Sequence, residues 1–130
     1  MPISYEIDKA SGLLLAKGVG QVTEADIAAF VNALLADPEY VHRKTCLVDF
    51  TDASFEVPSE RIHELANRHR ELLARATPVK IAVVAPEDLC FGLARMYAHY
   101  RSLLGVEIVA FRDEVSARAW LAGSVQIEDD

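Results

Sequence analysis

The sequence predicts a single α/β domain with about five strands in a mixed, mostly parallel sheet and four flanking helices. Apolar, β-branched runs without strict alternation recur along the chain, and such runs are typical of strands covered on both faces. Amphipathic helical patterns lie between them, and regular alternation of strand and helix indicates a parallel sheet. The length of 130 residues suits one domain. We expect this domain over residues 1–122 and an acidic flexible tail over 123–130.

The N-terminal segment predicts a β-hairpin. Its first strand alternates apolar and polar residues, which is the pattern of a half-buried strand. Turn-forming residues at 8–12 separate it from a second strand at Leu13–Lys17. Gly18 and Gly20 are expected to loosen the chain just after this second strand. The apolar positions of the first strand are Ile3, Tyr5 and Ile7.

Four helices are predicted from apolar stripes at helical spacing. The first begins at Thr23, which forms a capping-box pattern with Asp26, and ends before Pro38. The third ends at Gly105, a favourable residue just beyond a helix, and Asp113 caps the last. The four stripes are Ile27, Phe30, Val31, Leu34 and Leu35; Ile62, Leu65, Ala66, His69, Leu72, Leu73 and Ala76; Leu89, Leu93, Met96, Tyr97, Tyr100, Leu103 and Leu104; and Ala117, Trp120 and Leu121.

Three apolar runs predict the parallel part of the sheet. They are Cys46–Phe50, Val79–Ala85 and Val106–Phe111, and we expect them to lie side by side or one strand apart. Asp49 is the exception among these core residues. A buried carboxylate needs hydrogen-bond donors, so Asp49 is expected at the C-terminal end of its strand.

The composition excludes several classes of function. The chain has 13 basic and 20 acidic residues and a net charge of −7, whereas nucleic-acid binding depends on a basic surface. No apolar run approaches the roughly 20 residues of a transmembrane helix. The N-terminal residues also lack the pattern of a signal peptide. We therefore expect a cytoplasmic protein that binds no nucleic acid and has no transmembrane segment.

Motifs for metal, nucleotide or nucleophilic chemistry are missing from the sequence. There is no GxSxG, P-loop or GxGxxG motif, and the histidines do not pair at metal-ligand spacing. Cys46 and Cys90 lie in apolar contexts, as small buried hydrophobic residues do. His69 lies on an apolar stripe, where a hydrogen-bonded buried histidine is favoured over a ligand. We expect no metal and no cofactor.

A Ser-His-Asp set can be assembled from Ser54, His99 and Asp49, but almost any chain of this length contains such a set. No catalytic residue is therefore assigned. A hydrolase-type enzyme is the third of three functional hypotheses, behind a protein-interaction domain and a module that binds a small molecule.

The stretch Thr51–Ser59 is predicted to be a loop that leaves the C-terminal end of a central strand, where ligands of open α/β sheets gather. A phosphate on Ser59 would be favoured by the amides of the helix that follows. In the alternative interpretation, Ser59 only caps that helix and Phe55 packs over the core.

A second segment, near Glu87 at the start of the third helix, is expected at the same edge of the sheet. Phe91 and Arg95 share a helix face, and an aromatic ring beside a guanidinium can hold an apolar and an acidic group together. Alternatively, Arg95 forms an ordinary surface ion pair. The predicted ligand or partner cleft comprises Ser54, Phe55, Phe91, Arg95, Tyr97 and His99.

The pattern resembles the small bacterial SpoIIAA-like proteins, which are relatives of STAS domains and are similar in architecture to the CRAL-TRIO lipid-binding domains of the SEC14 type. The resemblance covers about Tyr5 to Leu121. Its residues are Leu47-Val48-Asp49-Phe50, Phe91-Gly92-Leu93-Ala94-Arg95-Met96-Tyr97, and Val109-Ala110-Phe111-Arg112-Asp113 leading to Ala119-Trp120-Leu121.

This resemblance implies a non-enzymatic regulatory or protein-interaction domain, expected as a homodimer through exposed aromatic helix surface. In true antagonists a partner kinase phosphorylates a serine of an Asp-Ser-Ser-Gly motif. The motif is broken here, since the region reads Asp52-Ala53-Ser54-Phe55. Ser54 and Ser59 are its approximate counterparts and the candidate phosphoacceptors. The similarity to CRAL-TRIO domains implies the alternative, a module that binds a lipid or small apolar molecule and associates with membranes.

Overall fold

The computed structural model describes residues 2–40, 45–72, 80–102 and 106–123, which form one five-stranded sheet and four α-helices. The strands are β1 (Ile3–Asp8), β2 (Leu13–Val22), β3 (Thr45–Phe55), β4 (Lys80–Val84) and β5 (Glu107–Phe111). The helices are α1 (Glu24–Ala36), α2 (Ile62–Leu72), α3 (Asp88–Ser102) and α4 (Glu114–Leu121). The predicted fold class and element order are confirmed.

The strands lie in the sheet in their order along the chain, β1-β2-β3-β4-β5. β1 is antiparallel to β2, and every other neighbouring pair is parallel. The three apolar runs predicted to be parallel neighbours are therefore β3, β4 and β5. Each crossover moves one strand further in the same direction, and crossovers of one hand then place their helices on one face. The structure shows α1 and α3 packed in a single core cluster on that face, with α2 against α3.

α4 covers the opposite face. Its Trp120 packs against Phe111 of β5, with the two ring centroids 5.7 Å apart. Ala117 and Trp120 form a second core cluster with Leu47, Val84 and the other inward residues of the central strands. The sheet is thus buried on both faces at its centre, as the uninterrupted apolar runs of β3 and β4 predicted.

The predicted helix ends are confirmed where the structure describes them. Thr23 accepts a hydrogen bond from the Asp26 amide, and the Asp26 carboxylate accepts one from the Thr23 amide, which completes the capping box. Asp113 accepts a hydrogen bond from the Ser116 amide at the start of α4. Asp37 ends α1 and also accepts a 2.6 Å hydrogen bond from the Tyr5 hydroxyl, which ties β1 to this helix.

β2 and β3 are longer than predicted, and two expectations were wrong as a result. Residues 51–55 belong to β3 rather than to a loop, because they continue the pairing with β2 as far as Phe55 opposite Val22. Gly18 and Gly20 lie within β2 rather than after it. The register shifts between Lys17 and Val19, which marks an irregularity at Gly18.

Asp49 was also misplaced by the sequence analysis. It lies in the middle of β3, half-buried, and its carboxylate accepts a 2.9 Å hydrogen bond from the Thr51 amide. The need for donors is thus met within the strand. The predicted extension of the second helix to Ala76, the helix end at Gly105 and the tail over residues 124–130 fall outside the described residues.

Gly18 and Gly92 offer a test of the local packing. A Cβ at Gly18 would lie 2.5 and 2.7 Å from two ring carbons of Phe50, whereas a Cβ at Gly92 on α3 would meet nothing within 4 Å. Phe50 is itself held edge-to-face by Phe55, with ring centroids 4.7 Å apart. We expect Gly18→Ala to lower the free energy of unfolding by about 1–3 kcal/mol. Gly92→Ala should raise it by about 0.5–1 kcal/mol, because alanine is the better helix former.

Urea unfolding of the two variants and the parent chain measures both changes. Equal stability of Gly18→Ala and the parent chain would contradict the close approach of β2 to Phe50.

Candidate functional site

A cavity of about 120 Å³ lies between the sheet and the helices α1, α2 and α3. Its wall is almost entirely apolar because the crossover helices and the strands turn their core residues toward it. The apolar wall includes Phe30, Leu34, Val48, Phe50, Val83 and Leu93. A space of this size and lining is suited to a small apolar molecule.

Three polar side chains at one part of this cavity form a hydrogen-bonded chain. The Arg101 guanidinium donates from Nη1 to the Tyr97 hydroxyl at 3.0 Å. The same hydroxyl lies 2.6 Å from Nδ1 of His69. Since the guanidinium can only donate, the hydroxyl accepts from Arg101, and the direction of its hydrogen bond with Nδ1 follows the tautomer of His69. Arg101 and His69 are each only 4% exposed.

Burial holds the other ionisable groups of the cavity neutral at pH 7. The pKa of His69 falls from 6.5 to about 4, first through burial and then through the positive charges of Arg101 and Arg68. Burial raises the pKa of the Cys46 thiol and of the Tyr40 hydroxyl to about 12. The pKa of Tyr97 is raised by burial against the opposing influence of Arg101. The lining residues that the structure describes thus carry a single charge, the guanidinium of Arg101.

A second feature lies on the outside of the molecule, where α3 and α4 begin. We name it the Phe91 patch; its residues are Phe91, Arg95, Arg112 and Val115. The guanidinium carbons of Arg112 and Arg95 lie 4.3 and 5.9 Å from the centroid of the Phe91 ring. Val115, three residues after Arg112, is 80% exposed, which makes it the most exposed large apolar residue described.

The structure divides the predicted cleft residues between these two features. Phe91 and Arg95 lie together on the outer patch, as their spacing predicted. Tyr97 turns inward and lines the cavity. His99 is exposed, with its ring beside Tyr100, and reaches neither the cavity lining nor Phe91.

Residues from the end of β3 are also placed separately. Phe55 lines the cavity and packs against Phe50, so the alternative in which it covers the core is the observed one. Ser54 is half-buried on β3, opposite Gln21 of β2. Ser59 is exposed but caps no helix: a short 3₁₀ turn, Ser59–Arg61, precedes α2, and no side chain caps it.

The set Ser54, His99 and Asp49 does not come together. Asp49 alternates with Val48 along β3, so its side chain is on the face opposite α3, where it lines a groove with Leu47 and Arg118. His99 is on the solvent side of α3. Within the described part of the chain there is also no group of three or more metal-ligating side chains.

The sequence analysis missed Arg101. Its spacing held the signal, because Arg101 follows Tyr97 by four residues and Ala94 by seven, and so falls on the apolar stripe of α3. A basic residue within such a stripe is rarely buried without a partner. His69, in contrast, is the hydrogen-bonded buried histidine that was expected.

The fold is that of SpoIIAA-like proteins. No protein-family model matches the sequence, and no curated protein sequence matches it. Among solved structures, an uncharacterized protein of the DUF3478 family from Shewanella loihica, described as having a SpoIIAA-like fold, is 19% identical with a TM-score of 0.56. The alignment covers 92% of this chain and 93% of that one.

Two further structures are similar over nearly their whole length. One is the anti-sigma factor antagonist SpoIIAA in its unphosphorylated form, at 15% identity and a TM-score of 0.52, with 93% of this chain and 98% of that chain covered. The other is an anti-sigma factor antagonist from Mycobacterium paratuberculosis, at 15% identity and a TM-score of 0.51, with 92% and 94% covered. The resemblance to SpoIIAA-like proteins is thus confirmed at the level of the fold.

The buried histidine predicts a loss of stability in mild acid. Below pH 6.5 the unfolded chain protonates this residue, whereas the folded chain does not until about pH 4. The free energy of unfolding should therefore fall by about 2–3 kcal/mol between pH 7 and 4.5 through His69 alone. We expect His69→Gln to remove most of this dependence in urea titrations.

The matched control is His63→Gln, since His63 is an exposed residue of the same helix. This variant should keep the pH dependence of the parent chain. An unchanged pH dependence in His69→Gln would contradict the buried neutral histidine.

Proposed function

We propose that this protein is a non-enzymatic regulatory domain that acts by binding another protein through the Phe91 patch. The observation that carries the proposal is the composition of this surface: the Phe91 ring lies beside the guanidinium groups of Arg95 and Arg112, and Val115, three residues after Arg112, is exposed. An aromatic ring with adjacent guanidinium groups can bind an apolar side chain and a carboxylate of the partner together.

The two arginines of the patch differ in their freedom to bind a partner. Arg112 is held by an ion pair with Asp88 and a 3.2 Å hydrogen bond to the Pro86 carbonyl. Arg95 is exposed and forms no ion pair with a described residue. The surface ion pair that was the alternative interpretation of Arg95 is therefore not seen among the described residues. The charge of Arg95 is thus available to a partner.

The similarity of the fold to proteins described as anti-sigma factor antagonists supports a regulatory rather than an enzymatic role. Our proposal does not include a phosphorylation switch. Ser54 is half-buried in β3, and a phosphate on the exposed Ser59 would lie beside Glu60, whose charge opposes it. Arg61, the nearest cation in sequence, is already bound to Glu24 and Glu64.

Self-association and a cytoplasmic location are part of the proposal. A second copy of the chain can use the Phe91 patch as a partner does, which is the basis for proposing a homodimer. The thiols of Cys46 and Cys90 are buried and unpaired, as is usual in the reducing cytoplasm. No helix within the described ranges has the length and apolar character needed to cross a bilayer.

A second function, binding of a small apolar molecule, is favoured by the cavity beneath α1, α2 and α3. Its apolar wall and its volume of about 120 Å³ are the supporting observations. This function uses the inner side of α3, whereas the partner surface uses the outer side of the same helix, so one domain can perform both.

Site-specific photo-crosslinking in cells of the source organism tests the partner surface. A photoreactive phenylalanine analogue replaces Phe91 or the exposed Val115, and replaces the exposed Leu35 of α1 as the control. We expect the same discrete crosslinked protein from positions 91 and 115 and none from position 35. Adding the substitution Arg95→Ala should lower the yield of that crosslinked protein. Equal labelling at all three positions would contradict a defined partner surface.

Native mass spectrometry over a range of protein concentrations tests the homodimer. We expect a dimer. Arg95→Ala and Val115→Ser should each raise its dissociation constant at least threefold, because both side chains are exposed in the patch. Leu35→Ser, a change to an exposed apolar residue of α1, should leave it unchanged. A monomer at every concentration would refute self-association and leave the partner proposal to the crosslinking result.

A further inference from the structure

We infer that the cavity beneath α1, α2 and α3 binds a small carboxylic acid with an apolar tail of about six to eight carbon atoms, and that Arg101 pairs with its carboxylate. This inference deepens the second function proposed above and is independent of the Phe91 patch.

The first observation is the state of the Arg101 side chain. It is 4% exposed, and its Nε has no hydrogen-bond partner. The neighbouring Nη1 is bound to the Tyr97 hydroxyl, which is neutral and gives the guanidinium no opposite charge. A buried cation in this state is costly unless an anion compensates it. The N–H of Nε is one of the donors with which arginine binds a carboxylate in a bidentate manner.

The second observation is that the described lining of the cavity provides no anion. None of the described residues that line it is an aspartate or a glutamate, and their other ionisable side chains are neutral at pH 7. The Tyr97 hydroxyl already forms hydrogen bonds with Arg101 and His69. Among the described residues, Arg101 is therefore both the one charged group on the lining and the group with a free donor.

The third observation is the apolar wall that surrounds this charge. Phe30, Leu34, Val48 and Val83 line the same space as Arg101. A single anionic group fits the guanidinium, and a hydrocarbon tail fits the rest of the space. The volume of about 120 Å³ is close to that of cavities that accept one benzene ring, which sets the length of the tail. Longer tails gain about fourfold in affinity per buried methylene until the space is full.

Three probes with the same tail and different head groups test the inference. They are octanoate, octanol and octylamine, measured by isothermal titration calorimetry at pH 7 and by the ¹³C shift of the octanoate carboxyl carbon. We expect octanoate to bind one to one, octanol at least tenfold more weakly, and octylamine not at all, because its ammonium group would face the guanidinium.

Arg101→Met is the decisive variant, since methionine is unbranched, uncharged and apolar. It should bind octanoate at least tenfold more weakly and octanol as well as the parent chain does. Without ligand it should unfold at the same or a higher temperature, because a buried uncompensated cation has been removed. Arg118→Met, which changes an exposed arginine on the opposite face of the sheet, is the matched control and should leave octanoate binding unchanged.

A second variant keeps the inference testable if Arg101→Met does not fold. Ala94→Leu adds bulk to the wall of the cavity while Arg101 stays in place, and it should block octanoate and octanol alike. Equal binding of octanoate and octanol to the parent chain would refute the acidic ligand and leave an apolar ligand as the second function. If neither octanoate nor octanol binds at millimolar concentration, both the acidic ligand and the second function are refuted. The proposed partner surface is not affected by that result.

Discussion

The whole molecule depends on one topological constraint, the regular order of its strands. Because β2, β3, β4 and β5 are parallel and adjacent in sequence order, α1, α2 and α3 all belong to one face of the sheet. Three helices cover that face, whereas α4, with only eight residues, covers the other. A thick layer of this kind is where a cavity and a buried arginine can coexist.

Arg101 has a direct consequence for its neighbours. Its hydrogen bond to the Tyr97 hydroxyl orients that group toward His69, and its charge adds to burial in keeping His69 neutral. Removing a cation from water has a penalty of several kcal/mol, which a neutral hydroxyl does not offset. Stability alone therefore does not explain an arginine at this position, and the proposed carboxylate ligand would supply the missing opposite charge.

α3 links the two features of the molecule. Phe91 and Arg95 occupy successive turns on its outer side, and Tyr97 and Arg101 occupy successive turns on its inner side. Phe91 also packs against the main core, so the outer patch and the cavity share a continuous apolar layer. The helix therefore carries the Phe91 patch and lines the cavity with the same backbone.

Most elements of this protein could be predicted from the sequence, whereas the grouping of its site residues depends on tertiary packing. Local signals such as the Thr23 capping box, the Asp113 cap and the apolar runs of β3 and β4 act over a few residues, so they could be interpreted correctly from the sequence. The extension of β3 to Phe55 could not, because Asp52 and Ser54 are typical of turns until Val19 and Gln21 of β2 pair with them. Arg101 was missed for a similar reason. Its spacing places it on the apolar stripe of α3, but only the packing of three helices on one face of the sheet shows that this side chain is buried.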